Sequence, residues 1–189
     1  MTPEAMKEFL LEKAELYEVP DFIPDDPLSI PHRFEVPLDI EVSGFLAATL
    51  AWGNRTAILK SLNALMERMD QAPGDFMLQH EDSDLAVFDG FVHRTFQADD
   101  MKGFAKALKS LLVEHGSLEA LFANAWQSSR DTTQLKEAIG LFHESFVRAP
   151  GVLQRTQKHV ANPMKGSAAK RINLFLRWMI RPDKRGVDL

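Results

Sequence analysis

Hydrophobic residues recur along most of the chain at the three- and four-residue spacing of amphipathic α-helices. The predicted helices cover Pro3–Tyr17, Asp39–Trp52, Thr56–Met69, Gly74–Gln79, Asp99–His115, a segment that opens at Ser117, Asp131–Arg148 and Ser167–Arg181. Alternating β-branched residues do not reach the length of a strand anywhere in the sequence. We therefore predict an all-α fold, a single-domain irregular multi-helix array over residues 1–189 with about seven or eight helices.

The segment 39–52 differs from the other predicted helices because its hydrophobic residues fall on every side of the helix. A helix without a polar face is covered by other elements all round. We therefore predict that this helix lies in the middle of the bundle. Gly53 and Asn54 mark its end.

A proline-rich wrap is predicted between the first two of these helices, over residues 20–37, where five prolines occur. Proline fixes φ and removes a backbone donor, so a rigid extended conformation is expected. The residues predicted to anchor this wrap to the body are Ile23, Leu28, Ile30 and Phe34.

Several classes of site are excluded or unsupported by composition. The sequence has no cysteine, which excludes disulfides, thiolate nucleophiles and cysteine-bound zinc. The six histidines are scattered, and His143-Glu144 lacks the second histidine, four residues on, of a zinc-protease motif. We predict neither a metal site nor a cofactor.

The N-terminal sequence has no basic segment followed by an apolar stretch, so it does not read as a signal peptide. The longest apolar run, residues 45–52, is far shorter than the stretch of about 18 residues that indicates a membrane span. The sequence therefore predicts a cytoplasmic protein with no membrane partner.

Charge divides the chain into two unequal parts. Residues 1–147 hold 12 Lys and Arg against 25 Asp and Glu, a net charge of −13. Residues 148–189, the basic C-terminal segment, hold 10 against 2, a net charge of +8. Such asymmetry is typical of proteins that bind nucleic acid or another polyanion. The alternative is that the basic segment packs on the acidic body.

The last predicted helix concentrates this positive charge. Lys170, Arg177 and Arg181 fall along one side, opposite the apolar face that includes Met179 and Ile180. Arg171 and Trp178 flank the stripe, and the tryptophan ring is a candidate to stack on a base. All five are candidate nucleic-acid-binding residues. If the helix docks on its own protein instead, Arg177 and Arg181 are expected to pair with carboxylates from residues 1–147.

A second group of candidates lies earlier in the chain. Arg55 follows the Gly53-Asn54 helix exit, and His93 and Arg94 stand together in a short linker. A histidine beside cations is suited to acid–base or anion-binding chemistry. The structural alternative is a helix cap at Gly53 and a buried, hydrogen-bonded turn at His93.

Five segments resemble the bacterial family called domain of unknown function 2400. They are PDFIPDDPLSIPHRF (20–34), GFLAATLAWGNR (44–55), HRTF (93–96), QRTQKHVANP (154–163) and GSAAKRINLFLRWMIRPDKRGVDL (166–189). The family is distantly similar to helix-hairpin-helix DNA glycosylases, which implies a DNA-glycosylase-like fold and a link to base-excision repair. The family pattern continues beyond Leu189 into the region that would carry the catalytic aspartate, so the chain reads as truncated and no catalytic residue is assigned.

Three functional hypotheses follow. The protein binds nucleic acid and is related to repair glycosylases; it is an enzyme acting on a small anionic substrate through Arg55, His93 and Arg94; or it is a non-catalytic structural or interaction domain.

Overall fold

The computed structural model describes residues 1–128, 134–182 and 185–189. Within these residues the α-helices are α1 (Pro3–Tyr17), α2 (Pro37–Leu50), α3 (Arg55–Arg68), α4 (Pro73–Gln79), α5 (Ala98–His115), α6 (Leu118–Ser128), α7 (Gln134–Arg148) and α8 (Lys170–Ile180). One short antiparallel pair, β1 (Val92–His93) and β2 (Phe96–Gln97), joins them. The all-α prediction is confirmed. The predicted start of α7 at Asp131 lies outside the described residues.

Helix α2 occupies the centre of the array. Every residue from 42 to 50 is buried, and α2 packs against α3, α4, α6 and α8. The ring of Phe45 meets phenylalanine rings from three other helices, namely Phe104, Phe142, Phe146 and Phe175. The prediction from its all-round apolar sequence is confirmed, because only complete coverage removes such a helix from water.

Helix α8 approaches α2 closely at a glycine. A side chain at Gly44 would collide with Met179 and would touch Phe175. The absence of a Cβ at Gly44 therefore lets the inner face of α8 rest directly on α2. This contact fixes the side of α8 that faces outward.

The proline-rich segment anchors to the body as predicted, but its conformation was predicted wrongly. Leu28 and Ile30 are buried, and Ile23 and Phe34 pack partly buried against the core. The chain over this segment is not extended; it forms consecutive 3-10 turns at Pro20–Asp25, Pro27–Ser29 and Pro31–Arg33. The φ that proline fixes suits the first position of a 3-10 turn as well as an extended chain.

The N-terminus of α5 is capped differently from the prediction. The capping residue is Gln97, not Asp99, and Asp100 closes the capping box by accepting from the Gln97 N–H at 2.9 Å. Asp99 is exposed, whereas Asp100 has no exposed surface. With Asp99 as the predicted cap, the cap was placed two residues late, because aspartate is a common capping residue; α5 itself begins at Ala98.

Asp100 also holds the segment that follows α7. Its Oδ2 accepts from Arg155 Nη2 at 3.0 Å, and its Oδ1 accepts from Thr156 Oγ1 at 2.8 Å. These bonds tie the 3-10 turn Gln154–His159 to the start of α5. The link 152–165 between α7 and α8 is thus held by one buried carboxylate and contains a second 3-10 turn at Pro163–Lys165.

Replacing Asp100 with Asn is expected to lower the free energy of unfolding by about 2–4 kcal/mol, because Arg155 loses its charge partner inside a buried network. Asp99→Asn is the matched control, since it changes the same group at an exposed neighbouring position, and a change below about 0.5 kcal/mol is expected. Urea denaturation of both variants measures this. Equal losses would contradict the assignment of Asp100 as the anchor.

Candidate nucleic-acid interface

The predicted cationic stripe of α8 is present but partly neutralised. Arg177 Nη2 lies 2.9 Å and Arg181 Nη1 lies 2.6 Å from the same Oε1 of Glu18, the residue after α1. Arg181 also pairs with Asp188. The hydrogen bond from Arg181 lowers the pKa of Glu18. Both arginines therefore have a carboxylate from the first part of the chain, as the interaction-domain alternative expects.

Trp178, the predicted stacking residue, faces the core. Its side chain is enclosed, at 4% exposure, while Ile180, expected in the core, is 64% exposed. Compared with the predicted face, the buried face of α8 is rotated toward Arg171 and Trp178. The end of the chain returns to this helix, where Leu189 N–H donates to Trp178 O at 2.9 Å. The expectation of an exposed indole is wrong, because hydrophobic spacing alone does not separate a tryptophan at the edge of a face from one inside it.

Arg171 is half-buried and is held by backbone carbonyls. Its Nη1 donates to Thr49 O at 2.7 Å and its Nη2 donates to His159 O at 3.3 Å. Burial lowers the pKa of Arg171, yet a guanidinium remains charged at neutral pH. Within the described residues no carboxylate lies in ion-pair distance of it. The site around Arg171 therefore keeps an uncompensated positive charge.

Arg171 forms part of a concave surface at the start of α8, which we call the basic depression. Its volume is about 560 Å³ and its charged lining residues are Lys158, Lys165, Lys170 and Arg171. The lining contains no Asp or Glu. The three lysines are exposed, and none forms an ion pair with a carboxylate of the described chain. Positive charge therefore accumulates here without a counterion among the described residues.

Local turns shape the rim of the depression. Gly166 takes the left-handed φ of 84° that glycine accepts freely, and Ser167 Oγ accepts from Ala169 N–H at 3.1 Å. Ala169 is itself left-handed, with φ 48°, so α8 begins at Lys170 and not at the predicted Ser167. The reversal brings Lys165 and Lys170 to the same surface.

His93, a predicted anion-binding candidate, is instead part of a hydrogen-bonded turn. It is 4% exposed, with Nδ1 at 2.9 Å from Ser61 Oγ and Nε2 at 3.3 Å from Trp52 O. Burial lowers the pKa of His93, which favours the neutral ring at neutral pH. This placement agrees with the structural alternative for His93.

Arg55 and Arg94, the other two candidates, are both exposed but rest on different rings. The guanidinium carbon of Arg55 is 4.8 Å from the centroid of Phe22, and that of Arg94 is 5.5 Å from the centroid of Trp52. Asn54 caps α3 by accepting from Ala57 N–H at 3.3 Å. The segment after α2 thus serves as a helix cap, and Arg55 and Arg94, from separate parts of the chain, remain on the surface.

The sequence did not single out Lys158 or Lys165 as site residues. They lie in the link between α7 and α8, which has no helical periodicity to place them on a face. Their only sequence signal is membership of the basic C-terminal segment. Their position beside Lys170 depends on the anchoring by Asp100 and on the turn at Gly166.

Among the described residues, no group of three or more His, Asp or Glu side chains is arranged to hold a metal ion. No helix in the same part of the chain has both the length and the apolar character needed to cross a membrane.

Comparison with known proteins places the chain in a family defined by sequence. The model of the family described as protein of unknown function DUF2400 matches residues 26–189. The chain therefore belongs to this family, and α1 and Glu18 precede the matched region. Neither the curated proteins nor the solved structures contain a significant match to this chain.

The ring of His159, whose carbonyl holds Arg171, is expected to make stability depend on pH. Burial lowers the pKa of His159 to about 4. Asp100 Oδ2, 3.7 Å from Nε2, opposes this shift only in part, because burial has the larger effect and the nearby cations Lys158, Arg171 and Arg155 also lower the pKa. The neutral ring is therefore the folded form at neutral pH.

On acidification the unfolded chain gains a proton on His159 near its ordinary pKa of about 6.5, before the folded chain does. The contribution to stability is thus complete above about pH 6.5 and is lost as the pH falls toward 4, on the order of 3 kcal/mol in total. His159→Phe keeps a ring beside Phe96. The free energy of unfolding of this variant is expected to fall less between pH 7 and pH 4 than that of the unaltered protein. Urea denaturation at several pH values measures this, and an unchanged slope would contradict it.

Proposed function

We propose that this protein binds nucleic acid through the basic depression, with Lys158, Lys165 and Lys170 on phosphates and Arg171 beneath them. The observation that carries the proposal is that four cations line one concave surface whose lining has no carboxylate. Phosphate contacts from lysine and arginine supply the sequence-independent part of nucleic-acid affinity.

The shape and charge of the depression favour a polymer. The surface is open rather than enclosed, so it fits a backbone that runs across it better than a small molecule that must be surrounded. Each lysine that meets a phosphate releases a condensed counterion from the polymer, a gain that an isolated small anion does not offer. Lysines already engaged by protein carboxylates would contribute less, and these three are not engaged within the described chain.

The rest of the surface restricts where a polyanion binds. Residues 1–147 carry a net charge of −13, which repels phosphates from most of the body. Arg177 and Arg181 share Glu18, so they add less to the field than the stripe in the sequence implies. Binding is therefore confined to the start of α8 and its surroundings.

The resemblance to helix-hairpin-helix glycosylases favours DNA as the polymer and repair as the setting. A glycosylase also needs a pocket that receives an extruded base. We assign no described residue to such a pocket, so the proposal is nucleic-acid binding and does not include a catalytic step.

One observation favours a second candidate, a domain whose basic helix docks on its own body. Glu18 pairs with Arg177 and Arg181. This pairing accounts for Arg177 and Arg181 but not for the three lysines of the depression, which have no carboxylate partner among the described residues. The two functions therefore use different cations.

The test is a salt titration of binding to a fluorescein-labelled DNA duplex, followed by fluorescence anisotropy. Lys158→Ala with Lys165→Ala and Lys170→Ala is expected to weaken binding and to reduce the slope of log affinity against log salt by about 2.7, since each duplex phosphate contact contributes about 0.9.

The matched control is Lys102→Ala with Lys106→Ala and Lys109→Ala on α5, which removes the same net charge. Lys102 and Lys106 are paired with Asp89 and Asp82, and Lys109 donates to His80 O. We expect this control to bind nearly as the unaltered protein does. Absence of binding at low salt to duplex and single-stranded DNA and RNA, or equal losses in both triple variants, would refute the proposal.

A further inference from the structure

Arg94 adopts a backbone conformation that arginine rarely takes. It is the first of two residues, Arg94 and Thr95, that connect β1 to β2, and its φ is +55°. That position of a two-residue hairpin normally holds glycine. A left-handed conformation costs a residue with a Cβ about 1–2 kcal/mol. Glycine adopts this φ without that cost, and a non-glycine residue held in such a conformation motivates a hypothesis of function.

The side chain of Arg94 lies across a second unusual residue. Gly53 has φ +113°, and the Nε of Arg94 is 2.8 Å from the position that a Cβ at Gly53 would occupy. Any other residue at Gly53 would therefore displace Arg94. The guanidinium reaches the half-buried ring of Trp52, with 5.5 Å between its carbon and the ring centroid.

Trp52 also lies near a second guanidinium. The Cζ of Arg171 is 6.0 Å from the centroid of the same ring, and His93 packs edge-on to it at 5.7 Å. Neither Arg94 nor Arg171 has an ion pair with a carboxylate of the described residues. Two like charges around one ring repel each other, and an anion bound beside them relieves that repulsion.

These contacts place Arg94 close to the basic depression. Arg171 contributes to both, since it lines the depression and lies by the ring that carries Arg94. The guanidinium carbons of Arg94 and Arg171 lie 5.5 Å and 6.0 Å from the centroid of the Trp52 ring. The distance between the two carbons therefore cannot exceed the sum of these two distances. That span corresponds to phosphates a few nucleotides apart at most along one strand.

We propose that Arg94 forms a second phosphate-binding position, held over Trp52 and continuous through Arg171 with the basic depression. The ligand is then a strand of nucleic acid long enough to reach both positions, and not a mononucleotide or an isolated phosphate. This inference rests on the proposed function of the depression and specifies the class of its ligand.

The test uses Arg94→Gly in the full chain, with fluorescein-labelled oligothymidylates from about two to about sixteen nucleotides. Glycine removes the guanidinium while suiting the left-handed turn, so the variant is expected to fold with no large loss of thermal stability. For the unaltered protein, affinity is expected to rise with length and then level off once both positions are filled. Arg94→Gly is expected to bind the long strands about tenfold more weakly, because it loses one charge-assisted contact. Its affinity for the shortest strands is expected to equal that of the unaltered protein.

The slope of log affinity against log salt is a second measurement, and it would not change if Arg94 had only a structural role. The slope for long single strands is expected to fall by about 0.7 in Arg94→Gly, the value for one lost contact. Arg94→Lys, which keeps the charge without the planar fork, is expected to restore most of the slope. Arg148→Ala, which removes an exposed arginine paired with Glu144, is the matched control and is expected to leave both measurements unchanged.

The outcomes separate this inference from the function on which it rests. If the triple lysine variant loses affinity while Arg94→Gly binds every length as the unaltered protein does, the second position is refuted and the depression stands. If Arg94→Gly and Arg148→Ala lose affinity equally, the effect is one of net charge and the inference is refuted. If no oligonucleotide binds at low salt, both are refuted.

Discussion

The burial of α2 is the constraint on which the rest of the structure depends. A helix that is apolar all round lowers its free energy only when other elements cover each of its sides. The neighbouring helices supply that cover, and the ring of Phe45 is the point where α5, α7 and α8 converge on it. Because α8 rests on α2 at Gly44, its outward side is also determined by this contact. The position of the cations is thus a consequence of core packing.

The helices could be predicted from the sequence because their periodicity is a local property. Both ends of α1 and the C-terminal stop of α5 at Gly116 agree with the structure. The prolines could not be assigned in this way, since one value of φ serves both the extended chain and the 3-10 turn. Choosing between them depends on whether Leu28 and Ile30 reach the core, which is a tertiary property.

The candidate interface was predictable in its chemistry and only partly in its location. Net charge indicated the C-terminal segment, which contains all the charged residues that line the basic depression. The availability of each cation was not predictable, because it depends on partners that are distant in sequence. Arg177 and Arg181 meet Glu18 near the other end of the chain, whereas Lys158 and Lys165 come from a link whose course is set by the carboxylate of Asp100.

The position of Glu18 has a consequence for the family as a whole. The region that the family model matches starts at residue 26, so Glu18, whose carboxylate pairs with Arg177, lies outside it. A relative with the same helices but no carboxylate at the position of Glu18 would lose this partner of Arg177, while Arg181 would keep Asp188. Members of one fold family can therefore differ in the electrostatic character of this helix without any substitution in the helix itself. Comparison of family members by surface potential, rather than by aligned residues alone, would group them by this difference.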